Sequence, residues 1–345
     1  MGLPEIFISF ETAAVTAINR SAKGALAVVM KDSMGTESAV YRSLSEVPRE
    51  SFTAKNYRLL KMAFLAAPSS VAVVRVGENE ADVWQTLNHL HFDWLAAPGL
   101  ETDAVVAYIK AQRAAGRGVK AVVADATAPD CEGIVNLCVT NLMLKDGVSS
   151  GVNYAVRIAA LLAAMPMNRS ATYAELSDVV SCGTVEDPDA AVDAGKLIIV
   201  AGADGTCRLG RAVNSLTTLT AEKGAAFQKI KIVEGVDLIR NDIAATFEKG
   251  YIGKVLNDYD NKLLLVTAIN SYLRSLEGDV LDKTADNSCG VSLSAQREYL
   301  ESRGIDTTDM SDAEILRANT GSQVFLEAGL TFCDAMEDLS LLISM

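Results

Sequence analysis

The stretch Thr102-Asp103-Ala104-Val105-Val106-Ala107-Tyr108-Ile109-Lys110-Ala111-Gln112-Arg113-Ala114-Ala115-Gly116-Arg117-Gly118-Val119-Lys120-Ala121-Val122-Val123-Ala124 reads as one helix feeding one strand. Thr102 stands where an N-cap belongs, Val105, Val106, Tyr108 and Ile109 make an apolar face, and Gly116 and Gly118 end the helix. Val119–Ala124 then has the β-branched texture of a strand. Outward from this unit the alternation repeats. Ala25–Met30, Ser70–Val76 and His91–Leu95 read as strands, and Ala54–Leu65, Glu80–His89 and Val152–Ala164 as helices. Strands alternating with helices build an α/β layer, so residues 23–166 are expected to form an α/β domain.

Beyond Met165 the texture changes. Thr184–Asp193 is acidic and turn-rich, and Leu197–Ala201 and Thr206–Val213 flank Gly202-Ala203-Asp204-Gly205, whose Asp-Gly is a hairpin signal. Helices are expected over Asp237–Lys249 and Lys262–Leu276, then a polar region with Ser294–Arg303 and Ser311–Ala318. This pattern predicts a second, α+β domain over residues 167–322. Residues 1–22 form a leading arm, in which Ile6, Ile8 and Phe10 alternate with Phe7, Ser9 and Glu11. Residues 323–345 form a trailing one, in which Leu339, Leu341 and Ile343 alternate with Ser340, Leu342 and Ser344. An apolar strand at a chain end needs a sheet to join, either that of its own domain or that of another subunit.

The chain has 345 residues, enough for about two domains and a full core. Half its residues are apolar and 22% are charged, so it reads as a folded protein and not as a fibre or linker. Its net charge of −13, from 44 acidic and 31 basic residues, argues against nucleic acid and against insertion at an anionic membrane. The start lacks a basic leader and an apolar core, which predicts synthesis and folding in the cytoplasm. The apolar stretch Ile158–Pro166 falls far short of the ~20 residues that span a bilayer. The six cysteines contain no Cys-x-x-Cys pair and are expected as free thiols.

Motifs for chemistry are sparse. Gly250-Tyr251-Ile252-Gly253-Lys254-Val255 lacks the spacing and hydroxyl of a phosphate loop, and Gly116-Arg117-Gly118 precedes a strand where a dinucleotide fingerprint follows one. There is no Gly-x-Ser-x-Gly elbow, and the histidines are His89 and His91 alone. His89, His91 and Asp93 are too few for a metal centre unless a second cluster joins them. Asp125, Asp130 and Glu132 follow a strand's carboxyl end, where α/β enzymes place acids. They carry the alternative reading, a metal-dependent hydrolase; capping of turns and helices is the plainer role for such residues. No cofactor is expected. A closed-ring adaptor or scaffold is a further possibility.

A resemblance narrows these options. The segments Tyr154–Ala163, Asn168-Arg169-Ser170-Ala171-Thr172-Tyr173, Ala194-Gly195-Lys196-Leu197 and Arg211–Leu219 form an ordered set with Phe227–Ile239, Tyr251-Ile252-Gly253-Lys254 and Asn257–Lys262. Together they resemble the contractile tail sheath proteins of phages and R-type bacteriocins, including the diffocin-like type. Gly2-Leu3-Pro4-Glu5-Ile6 and Arg20-Ser21-Ala22-Lys23-Gly24 are similar to the start of compact sheath proteins of the Gram-positive type. The likeness is strongest over residues 150–275 and contains no catalytic motif.

The resemblance implies a two-domain tail-sheath fold whose extended N- and C-terminal strands are exchanged between subunits. Stacked hexameric rings would surround a tail tube and contract to drive it through a target envelope. It implies baseplate and terminator or collar proteins as further partners, and places the subunit in a phage tail or a released bacteriocin particle. Ile6, Ile8 and Phe10 become an intersubunit strand, as do Leu339, Leu341 and Ile343. The helix Ser294–Arg303, with Arg297 and Arg303, becomes the candidate tube-facing element.

Overall fold

The structure is a computed structural model that describes residues 17–21, 23–35, 38–77 and 81–345. Ile6, Ile8 and Phe10 lie outside the described residues. The strands are β1 (Ala25–Met30), β2 (Ala39–Tyr41), β3 (Ser70–Arg75), β4 (Trp94–Ala96), β5 (Lys120–Ala124), β6 (Ile134–Cys138), β7 (Met143–Leu144), β8 (Gly147–Val148), β9 (Val179–Ser181), β10 (Lys196–Ala201), β11 (Cys207–Leu209), β12 (Ser288–Val291) and β13 (Leu326–Gly329). The α-helices are α1 (Ala54–Phe64), α2 (Ala81–His89), α3 (Thr102–Ala114), α4 (Gly151–Ala164), α5 (Pro188–Asp193), α6 (Ile230–Gly250), α7 (Tyr259–Ser275), α8 (Leu293–Ser302) and α9 (Asp312–Arg317).

By internal contacts the chain forms two compact units. The larger holds residues 21–241 and 332–345, and the smaller holds residues 242–331 with the described residues 17–20. The expected division at residue 166 therefore falls inside the larger unit. The reason is the hairpin β10–β11, whose turn has Gly205 at φ +77°. Instead of seeding a new domain, β10 pairs in parallel with β6, so the sheet runs on in the order β11-β10-β6-β5-β4-β1-β3-β2.

Both faces of the inner strands of this sheet are buried, which explains strands that read as continuous apolar runs. Alternate side chains of β1 serve opposite sides. Leu26, Val28 and Met30 join the core under α1 and α4, while Ala27 and Val29 join the core under α2 and α3. Helix α4 is apolar almost all round because it packs across β4 and β5 and against α1, and the Ser150 hydroxyl accepts the Asn153 N–H at its start. Helix α3 begins with Glu101 at the cap position and no side-chain cap, so Thr102 is its first residue and not its N-cap. Gly116, at φ +86°, supplies the left-handed residue that ends it. Helix α6 starts at Ile230, seven residues before the expected Asp237, because the alternating Ile230-Lys231-Ile232 imitates a strand. In the smaller unit, β12 and β13 form an antiparallel two-stranded sheet with Ser288 opposite Gly329 and Val291 opposite Leu326.

Candidate functional site

Two arrangements of charge stand out in the larger unit. The first is a buried seam. Arg113, at the last turn of α3, directs its guanidinium to Asp237 of α6 through bonds of 2.8 and 3.1 Å, and to Glu132 through one of 3.0 Å. Lys120 of β5 lies 3.1 Å from Asp237 and 3.3 Å from Glu234, which also pairs with Lys23. Lys223 donates to Glu132 at 2.8 Å.

Asp237 is 1% exposed and Lys120 3%, so these charges persist only because each is neutralised. Burial works against the Asp237 carboxylate, yet Lys120 and Arg113 outweigh it and hold the group below the usual carboxylate range. Burial likewise opposes the Lys120 ammonium, and Asp237 with Glu234 raises it instead. Gly118 lets α6 come this close, since a Cβ there would sit 2.9 Å from the Asp237 Cβ. Little in the sequence marks this seam. The local signals are a charged residue inside the strand Val119–Ala124 and one aligned with Ile109 on α3.

The second arrangement anchors the trailing segment. Ser170 and Thr172 hydroxyls donate to Glu337 at 2.9 and 2.6 Å, and Arg211 and Lys229 stand 3.4 and 3.6 Å from its other oxygen. Arg211 also pairs with Asp338 at 2.5 Å, Lys229 with Asp334, and Lys231 donates to the Cys333 carbonyl at 2.5 Å. The bond to Asp338 raises the Arg211 guanidinium above its usual range against the cost of partial burial. The Glu337 side chain is only 7% exposed.

Immediately beyond the anchor the chain changes character. Leu339 is 89% exposed, Leu341 72%, Leu342 90% and Ile343 73%. The three expected strand residues Leu339, Leu341 and Ile343 thus have no ladder partner among the described residues. Contiguous exposed apolar side chains mark an interaction surface.

The candidate acids do not converge. Asp125 follows β5 in the left-handed region at φ +50° and lies beside the Cys138 thiol. Asp130 accepts the Thr217 and Thr218 N–H groups at 2.8 and 2.9 Å, and these bonds hold it well below the usual carboxylate range. Glu132 belongs to the seam. Among the described residues no group of three or more His, Cys, Asp or Glu side chains could hold a metal ion. Asp93 accepts the Gly24 and Ala25 N–H groups at 2.8 and 2.9 Å. The six cysteines are free thiols.

In the smaller unit, Arg297 of α8 reaches Asp312 at 3.4 Å, while Arg303 is exposed at the end of α8. Asn270 closes one rung of the outer edge of β12, donating to the Cys289 carbonyl at 2.9 Å and accepting its N–H at 2.7 Å. The outer edge of β13 carries no strand among the described residues.

A sheet body locked by buried charge, ending in a tethered apolar segment without a strand partner among the described residues, is the build of a self-associating structural subunit. The comparisons give the family. The model of the phage tail sheath C-terminal domain matches residues 222–345. The tail sheath protein of Clostridium phage phiCD119 is 36% identical over 365 residues, covering all of this chain and 99% of that protein. The sheath tail protein from Desulfitobacterium hafniense superposes with a TM-score of 0.69 at 16% identity, over 83% of this chain and 93% of that one. The helical sheath of the anti-feeding prophage, solved in its contracted state, gives 0.71 at 14% identity over 100% and 99%. The chain belongs to the tail sheath protein family, and its mixed α/β fold is that of tail sheath structures.

Proposed function

We propose that the chain is the repeating subunit of a contractile sheath, polymerising as stacked hexameric rings around a tail tube. The subunit is made in the bacterial cytoplasm and ends in a phage tail or a released bacteriocin particle. Baseplate and terminator or collar proteins close the two ends of the polymer. The work of the molecule is mechanical: rigid bodies change packing while main-chain strand pairs keep them linked.

The observation that carries this reading is the anchored trailing segment. Asp334, Glu337 and Asp338 fix its root to the larger unit, and the apolar run from Leu339 onward is left exposed. Such a run adds to a free sheet edge of a neighbouring subunit, and the β13 edge is a fitting acceptor. Ile6, Ile8 and Phe10 of the leading arm make the corresponding strand at the other end. Arg297 and Arg303 on α8 are the proposed tube-facing charges, and Arg303 is the better placed because Arg297 is paired with Asp312.

Negative-stain electron microscopy of the purified chain tests this, beside variants lacking residues 2–12 or 339–345. Hollow helical tubes from the full chain that vanish with either deletion are the expected result. Compact particles from the full chain, even beside a tail tube, overturn the reading.

A further inference from the structure

The smaller unit contains a lysine whose chemistry is incomplete. Lys262 of α7 is 3% exposed, and its ammonium donates to Gln296 Oε1 at 2.8 Å and to Thr320 Oγ1 at 3.0 Å. Neither partner carries charge, and no carboxylate among the described residues pairs with Lys262. Burial pushes the ammonium below the usual lysine range. A buried cation without a counter-ion is costly, in contrast to Lys120 in the seam, where two carboxylates offset the same burial.

A second unsatisfied group lies beside it. Asn257 spends its amide N–H groups on Thr320 Oγ1, the Gly321 carbonyl and the Gln323 carbonyl, at 3.2, 2.8 and 2.9 Å. Those acceptors fix which way the amide points, and its Oδ1 is left buried without a donor. Asn257 and Lys262 both line an open groove of about 470 Å³, whose apolar wall includes Phe247, Tyr251, Ile252, Leu256, Leu265 and Val324. Phe247 and Tyr251 stack at 5.8 Å, while Ile252 and Leu256 are 58% and 80% exposed. The volume far exceeds the ~30 Å³ share of one water and suits several side chains. The missing ligand must bring apolar groups, an anion and a hydrogen-bond donor.

We propose that this groove receives the segment Glu5–Glu11 of a second copy of the chain, with Glu5 or Glu11 paired to Lys262. This rests on the strand-exchange reading above and names where one arm docks. Charge selects the occupant. The trailing run Leu339-Ser340-Leu341-Leu342-Ile343-Ser344 has no acidic side chain, whereas the only charged residues of the leading segment 1–16 are Glu5 and Glu11. In an extended chain Glu5, Phe7, Ser9 and Glu11 share one face. That face supplies a carboxylate for Lys262, an aromatic ring for the wall of Phe247 and Tyr251, and a main-chain or Ser9 donor for Asn257 Oδ1.

Zero-length carbodiimide coupling tests the pairing on the full chain. Normal and 15N-labelled protein are mixed, assembled, cross-linked and digested for mass spectrometry, with tube formation checked by electron microscopy. The expected product is an amide between Lys262 and Glu5 or Glu11, with about half of the joined pairs mixed in isotope. Tubes without that product overturn the docking and leave strand exchange standing, as does a product made only within single chains or one joining Lys262 to another acid. Failure of the full chain to assemble at all overturns both. Lys262→Met checks the role independently: it should leave the thermal midpoint of the dissociated subunit unchanged or raised and lower tube yield at least tenfold. Adding Glu5→Gln and Glu11→Gln should bring no further loss. Wild-type assembly by Lys262→Met would also overturn the inference.

Discussion

The buried seam and the trailing anchor use the same residue types for opposite ends. In the seam, Arg113, Lys120 and Asp237 are each under 10% exposed, and Asp237 lies more than a hundred positions in sequence from both Arg113 and Lys120. In the anchor, the Arg211 side chain is 36% exposed and that of Asp338 76%. Breaking a buried pair strands a charge in a medium that cannot solvate it, whereas water and salt replace an exposed partner at little cost. The seam therefore makes one rigid body out of α3, β5 and the start of α6. The anchor instead sets the direction of a segment that can be re-aimed. The proposed subunit, moving as a rigid body while staying linked, needs both.

The sharpest way to break this contrast is to strand a charge in the seam. Asp237→Ala should cost about 3–5 kcal/mol, read as a lowered urea midpoint, while Arg211→Ala should leave that midpoint nearly unchanged. Equal effects of the two would remove the distinction. Acid probes the same difference without mutation. Asp237, Glu234 and Glu132 are held below their usual range by Lys120, Lys23, Lys223 and Arg113 against the opposing effect of burial. Their stabilisation is complete above the unfolded values of about 4 and is lost as pH falls through the lower folded values. The urea midpoint should therefore hold from pH 7 to about 5 and fall steeply below about 4; a flat profile would deny the seam its role.

Gly118→Ala is a subtler intrusion. It places a methyl against Asp237 and Asn241 and should cost about 1–3 kcal/mol through overpacking, again read from urea unfolding. The smallest effect belongs to the anchor. Raising salt from 0.05 to 0.5 M, where screening shortens to a few ångströms, should speed amide exchange in residues 333–338 about threefold and leave β5 and the first half of α6 unmoved. Matched acceleration in both regions would show that the anchor and the seam are one cooperative unit.

Local elements were legible wherever period and punctuation agreed. Strand β1 has the bounds the sequence predicts, Ala25–Met30, and α3 and α4 match within a residue. The Asp-Gly hairpin forms as expected, although β11 ends at Leu209, short of the expected Val213. The start of α6 was hidden because alternating Ile and Lys over three residues satisfies a strand and a helix equally, and packing decides between them. Of the site, the trailing apolar alternation was readable as a strand in want of a sheet. The charges that fix its root were not, because Arg211 and Lys229 meet Glu337 across more than a hundred residues.

By itself the sequence determined an α/β body, apolar segments at both ends and no assembled catalytic motif, all of which follow from local pattern and composition. Only the tertiary structure decided that residues 196–209 extend the first sheet and that Asp125, Asp130 and Glu132 go to separate structural tasks. It alone separated Lys120, which has two carboxylates, from Lys262, which has none among the described residues. Charge pairing in a core depends on which distant segments the sheet order brings together, and side-chain periodicity carries no record of that order.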